Sequence, residues 1–412
     1  MSGEILFLAH RMPFPPDRGD KIRSHHILKA LADIAPAHVG TFADIDRDWQ
    51  FRDELAAVSA SHALVARHKP LWLAGLEAIA SGKPASLAAF HDAKLEDYVT
   101  EVLATRPIET IYVFSGQMGQ YVPRDFKGKL VVDLVDVDSA KFDSYAALRS
   151  WPSSWLYRRE ARLLAREEER LAYLADHTLL VSDAEAELFR GRLSNPGKAR
   201  ISTMTNGIDA DSFDPRNVEP EASLSEAKGP HLVFTGQMDY APNVAAAQRV
   251  INYILPAIRQ HHPFAQFHVV GRAPVAELLK HDWQDGVRIW GEVPDVRPFL
   301  LAADVVVVPL EIARGVQNKV LEAMAMARPV VLTSGAATGI EAEDGRHFIV
   351  EDSDEALAAR IHALLANKGA AQAMGQAARN YVIDCKSWTA MLAGLRSTIG
   401  FGHGAKGHLY AA

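Results

Sequence analysis

The alternation of short apolar runs with longer helical stretches is the feature of this sequence that most constrains its fold. Such runs recur from residue 4 to residue 350. This alternation predicts parallel strands joined by helices. Strands are expected at Glu4–Ala9, Ala37–Phe42, Ala63–Ala66, Thr110–Phe114, Leu130–Leu134, His177–Val181, His231–Thr235, Gln266–Val270, Val287–Trp290, Val305–Pro309, Val330–Thr333 and His347–Val350. Two such series in one chain predict an α/β protein with two doubly wound sheets.

The length of the chain also favours two domains. Its 412 residues exceed what a single hydrophobic core usually supports. Segment 214–230 is polar and rich in proline, which suits a linker, so we expect the hinge there.

Composition excludes several classes of protein. A hydrophobic content of 48% with 23% charged residues is typical of a soluble globular protein, and the net charge of −7 argues against a nucleic-acid binder. The single cysteine, Cys385, excludes an internal disulfide and a cysteine-based metal cluster, which fits a reducing compartment. The N-terminus enters the strand Ile5–Ala9 without a signal-peptide pattern, and no apolar run reaches about 18 residues. We expect a cytoplasmic protein.

Residues 315–332 have the pattern of a phosphate site, because they contain a loop after a strand, a helix and the next strand. Backbone N–H groups of residues 315–318 at a helix N-terminus attract anions. Asn318 is expected to cap this helix, Lys319 adds a cation in its first turn, and Glu322 lies one turn further on. A cation for phosphate and a carboxylate for sugar hydroxyls indicate a nucleotide-sugar site. The alternative is a well-capped helix with no ligand.

This stretch resembles the donor-site motif of retaining glycosyltransferases of the GT-B fold, group 1 or family four. In that family two glutamates lie eight positions apart, the first near the donor hexose and the second on the ribose. Glu322 matches the second glutamate. Arg314 stands where the first would be, and Glu311 lies three residues too early for that role.

The segment Leu232–Asn243 resembles the family's strand and loop that approach the donor pyrophosphate. Gly236 would keep this loop close to phosphate, and Asn243 could cap the next helix. The Arg and Lys that many members carry in this loop are absent, so Arg272, Arg314 and Lys319 are the cations expected to stabilise the diphosphate leaving group. Two shorter signatures agree with the family, namely Thr205-Asn-Gly-Ile-Asp and Gly291-Glu-Val-Pro-Asp-Val.

The first loop, residues 13–26, corresponds in this resemblance to the glycine-rich loop that faces donor phosphate and acceptor. Gly19 allows close backbone approach, Asp20 could cap the following helix, and Lys21 and Arg23 would contribute positive charge. An ordinary strand-to-helix turn has a similar composition.

Three acids, Asp133, Asp136 and Asp138, lie at the carboxyl end of a predicted strand. That edge binds ligands in open α/β sheets, although acids are also common as loop and cap residues. In related transferases a histidine or acid at this position contacts the donor sugar or activates the acceptor. Asp136 and Asp138 are the candidates for that role.

The resemblance implies two Rossmann-like domains that face a central cleft, with a C-terminal helix that crosses back to the N-terminal domain. The domains would be residues 1–205 with 385–412, on the acceptor side, and residues 206–384, which bind the donor. The chain would transfer a hexose from a nucleoside diphosphate sugar to a polysaccharide or lipid-linked glycan, without a cofactor or bound metal. The donor-site residues would be Gly19, Gly236, Arg272, Arg314, Gly315, Val316, Lys319 and Glu322. Residues 315–322 and 135–139 also resemble a subgroup associated with bacterial exopolysaccharide and exosortase systems.

Two other functions stay open. One is a sugar-nucleotide epimerase on the same fold, although the single-glutamate motif does not supply an evident acid/base pair. The other is a catalytically silent nucleotide-sugar-binding partner of a synthase, which the absent first glutamate suggests.

Arg158, Arg162, Arg166 and Arg170 recur every four residues in a predicted helix that follows Trp151 and Trp155. A basic stripe beside aromatic residues can lie on anionic lipid, which predicts peripheral contact with the inner membrane. It can equally be a solvated face, because glutamates at 160, 167, 168 and 169 are interleaved with the arginines.

Overall fold

Two parallel sheets organise the computed structural model, which describes residues 3–67, 69–311 and 315–401. The chain divides into two units. Unit 1 contains the described residues up to Asn206 and those from Met391 onward, and unit 2 contains Gly207–Ala390.

Unit 1 is built on a seven-stranded sheet in the order β3-β2-β1-β4-β5-β6-β7, with every neighbouring pair parallel. Its strands are β1 (Glu4–Ala9), β2 (Ala37–Ala43), β3 (Ser61–Ala66), β4 (Ile108–Phe114), β5 (Lys129–Val135), β6 (His177–Leu180) and β7 (Ile201–Thr203). Strand order reverses between β1 and β4. In doubly wound folds such a switch point is where ligands bind, at the carboxyl ends of the strands.

Helices cover both faces of this sheet. They are α1 (Gly19–Ala32), α2 (Arg52–Val58), α3 (Leu71–Ser81), α4 (Ala85–Ala89), α5 (Ala93–Thr105), α6 (Asp138–Ala147), α7 (Ser153–Leu174) and α8 (Asp183–Arg192). Side chains alternate along β1, so that Leu6 and Leu8 pack in one core cluster and Ile5 and Phe7 in another. Every residue of β1 is buried, as expected for a central strand covered on both faces.

Unit 2 has a six-stranded parallel sheet in the order β10-β9-β8-β11-β12-β13. Its strands are β8 (His231–Thr235), β9 (Gln266–Val270), β10 (Val287–Gly291), β11 (Val305–Val308), β12 (Val330–Leu332) and β13 (Ile349–Val350). The helices are α9 (Ala222–Ser225), α10 (Ala241–Arg249), α11 (Leu255–Arg259), α12 (Ala276–Leu279), α13 (Arg297–Ala302), α14 (Asn318–Ala325), α15 (Ser334–Ala337), α16 (Asp354–Ala366), α17 (Lys368–Tyr381) and α18 (Trp388–Met391). Strand order reverses between β8 and β11, so the two doubly wound sheets expected from the sequence are confirmed.

Short 3₁₀ or π segments join some of these elements. They are Asp46–Phe51, Gly116–Tyr121, Pro196–Lys198, Pro215–Asn217, Val250–Ile254 and Val382–Lys386. No helix in the described part of the chain is both long enough and apolar enough to span a bilayer.

The last described residues, 391–401, belong to unit 1. Here the helical pattern of residues 387–399 forms two short helices, α18 and α19 (Leu395–Thr398), rather than one. Leu395 and Ile399 are buried in a core cluster of unit 1 together with residues of β1. The Thr110 hydroxyl on β4 donates a 2.8 Å hydrogen bond to the Ile399 carbonyl. The segment is therefore an integral part of the unit 1 core.

The linker expected at residues 214–230 is wrong, because this segment belongs to unit 2. Leu224 is buried in the unit 2 core, and Asp214 is buried within 3.0 Å of Arg379. Strand β7 lacks an apolar run, with the sequence Ile-Ser-Thr, which explains why the sequence pattern did not reveal it.

Candidate active site

The switch point of unit 2 brings together the loops that follow β8 and β11. Gly236 is the first residue after β8, and the loop after β11 leads to α14. Helix α14 buries Val320, Leu321 and Met324, whereas Lys319 and Glu322 of the same helix are partly buried. The fold thus places both charged residues of the sequence motif at the ligand-binding edge of this sheet.

Two glycines allow the loops at this edge to approach each other closely. A Cβ atom on Gly271, which follows β9, would lie 1.6 Å from the Gly236 carbonyl oxygen. A Cβ atom on Gly236 would lie 2.8 Å from the Lys319 Nζ atom. No larger residue fits at position 271 without moving the main chain, so glycine is required there for steric reasons.

A polar network connects these loops to α14. Lys319 Nζ donates a 2.6 Å hydrogen bond to Asn243 Oδ1, and Asn243 Nδ2 donates to the Gln237 carbonyl at 2.9 Å. Arg272 is exposed and donates to Gln237 Oε1 at 2.8 Å. Gly236, Arg272 and Lys319, which come from three separate segments of the chain, therefore lie around one site.

Burial shifts the pKa values of the two charged residues of α14 in opposite directions. Desolvation lowers the pKa of Lys319 to about 8, although the nearby Glu322 carboxylate opposes the shift. Desolvation raises the pKa of Glu322, and Lys319 partly offsets that shift. A lysine with a pKa close to neutrality carries a poorly solvated charge, which an incoming phosphate would stabilise.

The start of α14 differs in detail from the expectation. Its N-cap is Gln317 and Asn318 is the first helical residue, so the predicted cap at Asn318 is wrong. Gly315 has a φ of 71°, which favours glycine, and Val316 is exposed. The backbone amides of residues 316–318 donate no hydrogen bond to any residue that the structure describes. They remain available to an anion. Arg314 lies outside the described residues.

Asn243 has another role than the one expected. Helix α10 starts at Ala241 with Tyr240 as its N-cap, so Asn243 lies inside the first turn and does not cap the helix. Its side chain is buried and holds Lys319 instead. A cavity of about 230 Å³ borders the start of α10, with Ala241, Pro242, Pro309 and Glu311 in its lining. Glu311 is thus in the neighbourhood of the site, although it does not match the family's first glutamate.

The two candidate acids of unit 1 lie after β5, around one lysine. Asp138 starts α6 and accepts hydrogen bonds of 3.0 Å from Lys141 Nζ and from Gln117 Nε2. Asp136 lies 3.8 Å from the same ammonium group. Ser115 and Val135, at the ends of β4 and β5, have φ values of 77° and 68°. Such strain in residues other than glycine is commonly found at functional sites.

The first loop of unit 1 is neutralised internally, which corrects its expected role. Lys21 is buried and donates a 2.5 Å hydrogen bond to Asp48, and Arg23 is buried against Asp133 at 3.0 Å. Neither cation is free to meet a ligand. Gly19 is the first residue of α1, and apart from its chain neighbours and the backbone of α1, no atom of the described residues lies within 4 Å of where its Cβ would be.

Asp20 does not cap α1, whose N-cap is Arg18. Its carboxylate accepts a 2.7 Å hydrogen bond from Arg11 and lies 3.6 Å from His10. Burial alone would raise the pKa of Asp20, but the His10 and Arg11 contacts hold it well below its usual range. Asp20 is therefore an anion that orients the residues around β1.

A family comparison identifies the domain that holds the Lys319 site. Residues 229–367 match the family model described as glycosyl transferases group 1. This range includes Gly236, Arg272, Lys319 and Glu322. The chain therefore contains a glycosyltransferase group 1 domain. No curated protein matches it.

Solved structures show that the glycosyltransferase has the GT-B fold. Anabaena HepE in complex with UDP and glucose has a TM-score of 0.59 at 17% identity, covering 97% of this chain and 99% of its own. Sucrose-phosphate synthase from Thermosynechococcus elongatus has a TM-score of 0.58 at 18% identity, covering 96% and 98%. WaaG, a glycosyltransferase involved in lipopolysaccharide biosynthesis, has a TM-score of 0.53 at 16% identity, covering 96% and 100%.

Sequence reasoning missed two residues of the glycosyltransferase that lie near its unit 1 switch point. His10 directly follows β1, is stacked on Phe114 of β4, and its buried Nδ1 atom has no hydrogen-bond partner in the described structure. Gln117 orients Asp138. His10 could have been predicted from the sequence, because it lies at the carboxyl end of a strand. Gln117 could not, because it lies in a 3₁₀ segment that has no recognisable motif.

Proposed function

We propose that this glycosyltransferase moves a hexose from a nucleoside diphosphate sugar to a hydroxyl group of a polysaccharide or lipid-linked glycan. The observation that carries the proposal is Lys319, which is partly desolvated, held by Asn243 and located beside Gly236 at a sheet switch point. HepE was crystallised with UDP and with UDP-glucose, which supports a donor of that chemical class. Bacterial exopolysaccharide or cell-surface glycan synthesis is the proposed setting, with peripheral contact at the inner membrane surface.

The proposed roles follow from charge and position. Lys319, Arg272 and the N–H groups of Gly315 and Val316 would stabilise the departing diphosphate, together with Arg314, and Glu322 would hold the ribose. Asp136 or Asp138 would orient the donor sugar or the acceptor. We propose attack on the front face with retention of the anomeric configuration, in which the leaving phosphate accepts the proton. The proposed reaction uses no metal ion or other cofactor.

A thermal-shift screen with UDP, GDP, ADP and TDP tests the donor site. A single nucleoside diphosphate should raise the unfolding midpoint, since a ligand at 100 times its Kd stabilises a protein by about 2.7 kcal/mol. The shift should disappear in Lys319→Ala and persist in Lys280→Ala, which removes an exposed lysine from the same unit. Equal shifts in both variants would contradict the role of Lys319.

A silent nucleotide-sugar-binding partner of a synthase is the second candidate, because Arg314 stands where the family has its first glutamate. The double variant Lys319→Ala with Glu322→Ala separates the two functions. An enzyme loses turnover, whereas a silent partner keeps its association with the synthase and its biological effect.

A further inference from the structure

Helix α3 of unit 1 exposes an apolar face. Trp72, Leu76 and Ile79 are exposed by 68%, 57% and 60%. Their spacing of four and three residues places them on one side of the helix. Soluble proteins rarely leave such a contiguous apolar face uncovered unless it meets a partner.

A second apolar group lies where α6 leads into α7. Leu148, Trp151 and Trp155 are exposed by 82%, 81% and 55%. Helix α7 contacts the α3–α4 segment directly, because Arg159 Nη2 donates a 2.7 Å hydrogen bond to the Ala78 carbonyl of α3. The two apolar groups therefore belong to helices that pack together.

The glutamates interleaved with the arginines of α7 offset their positive charge less than the sequence indicates. Glu160 is buried and accepts hydrogen bonds from the Ala85 and Ser86 amides of α4. Glu168 is buried and accepts from Ser139 of α6.

The other two interleaved glutamates are also engaged. Glu167 pairs with Arg170 at 2.6 Å, and Glu169 accepts hydrogen bonds from Tyr173 and the Ser194 amide. Exposed Arg158, Arg162 and Arg166 make no ion pair within the described residues. The solvent side of α7 is therefore positively charged.

A pocket of about 500 Å³ adjoins both helices. Its lining contains Gly82, which is the C-cap of α3, and the charged residues Lys83, Arg124, Arg166, Glu167 and Arg170. Arg170 is paired with Glu167, but Lys83, Arg124 and Arg166 have no acidic partner among residues 3–67, 69–311 and 315–401. Three uncompensated cations around one concavity favour an anionic ligand.

We propose that unit 1 docks onto a bilayer of anionic phospholipid, with lipid phosphate groups in this pocket and the apolar face of α3 in the interfacial layer. The positive charge of the pocket complements the negative charge of the lipid headgroups, and each Lys or Arg near such a surface strengthens binding. Trp72, Trp151 and Trp155 are suited to the interface, where one end of a side chain is apolar and the other hydrated. The lipid surface specifies the membrane contact of the proposed function but uses no residue of the Lys319 site.

Co-sedimentation of the full chain with vesicles tests this assignment. The protein should bind phosphatidylcholine vesicles that contain phosphatidylglycerol and bind pure phosphatidylcholine weakly. Arg124→Glu with Arg166→Glu should weaken binding about tenfold or more. The matched control, Lys198→Glu with Arg200→Glu, reverses two exposed cations of unit 1 that lie outside the pocket and should retain binding. Equal losses in both pairs, or equal binding to both vesicles, would overturn the proposal.

Trp72→Ala with Leu76→Ala tests the apolar face, and it should release the protein from the anionic vesicles while its unfolding midpoint is kept. Sedimentation without lipid tests whether the protein self-associates. If it does, and if this variant abolishes the self-association, a second copy of the chain covers α3 and the proposal is overturned. A thermal shift with inorganic phosphate that the Arg124/Arg166 pair removes, without vesicle binding, would overturn it in favour of a free-anion site. The nucleoside diphosphate shift should survive in both variants, so failure here is distinguishable from failure of the donor site.

Discussion

At the scale of single residues, Lys319 combines the features expected of a phosphate-binding group. Its hydrogen-bond partner, Asn243, is neutral, and no ion pair among the described residues cancels its charge. Its lowered pKa reflects the free energy of desolvating that charge. A bound diphosphate would supply the missing counter-charge and raise the pKa again.

The first prediction concerns the pH dependence of nucleotide binding. Because the pKa of Lys319 is about 8, the free protein loses this positive charge as pH rises through that value. The Kd for the nucleoside diphosphate should therefore increase between pH 7.5 and pH 9.5, by up to about tenfold for each pH unit above the pKa. Titration calorimetry at each pH measures this Kd.

Lys319→Arg is the control for this prediction, because the guanidinium stays charged throughout the range. Its Kd should vary much less with pH, whatever its absolute value. A wild-type Kd that is constant to pH 9.5 would contradict the assigned role of Lys319.

At the scale of elements, buried polar contacts fix how helices of unit 1 meet. Glu168 of α7 accepts hydrogen bonds from the Ser139 amide at 2.9 Å and from the Ser139 hydroxyl at 2.5 Å, which ties α7 to the start of α6. Burial raises the pKa of Glu168 to about 7, although these hydrogen bonds oppose the shift. The contact between α6 and α7 is thus sensitive to pH.

The second prediction follows from this pKa. The folded protein retains the Glu168 proton up to about pH 7, whereas the unfolded chain releases it near 4.5, so the stabilisation is complete below pH 4.5 and is lost as pH rises through 7. Relative to Glu168→Gln, the free energy of unfolding should fall by up to about 3 kcal/mol between pH 4.5 and pH 8, at 1.4 kcal/mol per pH unit. Urea titrations at both pH values measure the difference. A constant difference between the two proteins would contradict the expected shift.

The third prediction concerns α19. Leu395 is buried in the unit 1 core, and its truncation to alanine should lower the free energy of unfolding of that unit by about 3 kcal/mol. Leu188→Ala makes the same change at an exposed position of α8 and should cost less than about 1 kcal/mol. Chemical unfolding followed by a probe in unit 1 compares them, and equal effects would show that α19 does not contribute to the core.

At the scale of the whole molecule, the sequence predicted the architecture well, because buried parallel strands are short apolar runs that local pattern reveals. β1, β8 and β9 have the predicted bounds. Contacts between distant segments were not predictable. Arg23 meets Asp133 across 110 positions, and Lys319 meets Asn243 across 76, so neither partner could be inferred from local spacing. For this reason the charges of the first loop were misjudged. The motif at residues 315–322 is local and could be recognised from spacing alone, and its role in donor binding stays a prediction.

A crystal structure of the full chain with the nucleoside diphosphate that the thermal screen selects would show whether Lys319 binds the donor. The diphosphate should bind at the unit 2 switch point, with a phosphate oxygen within hydrogen-bond distance of Lys319 Nζ and of an amide in residues 315–318, and with the ribose on Glu322. A diphosphate bound elsewhere in the chain, with Lys319 still donating to Asn243 alone, would contradict this expectation.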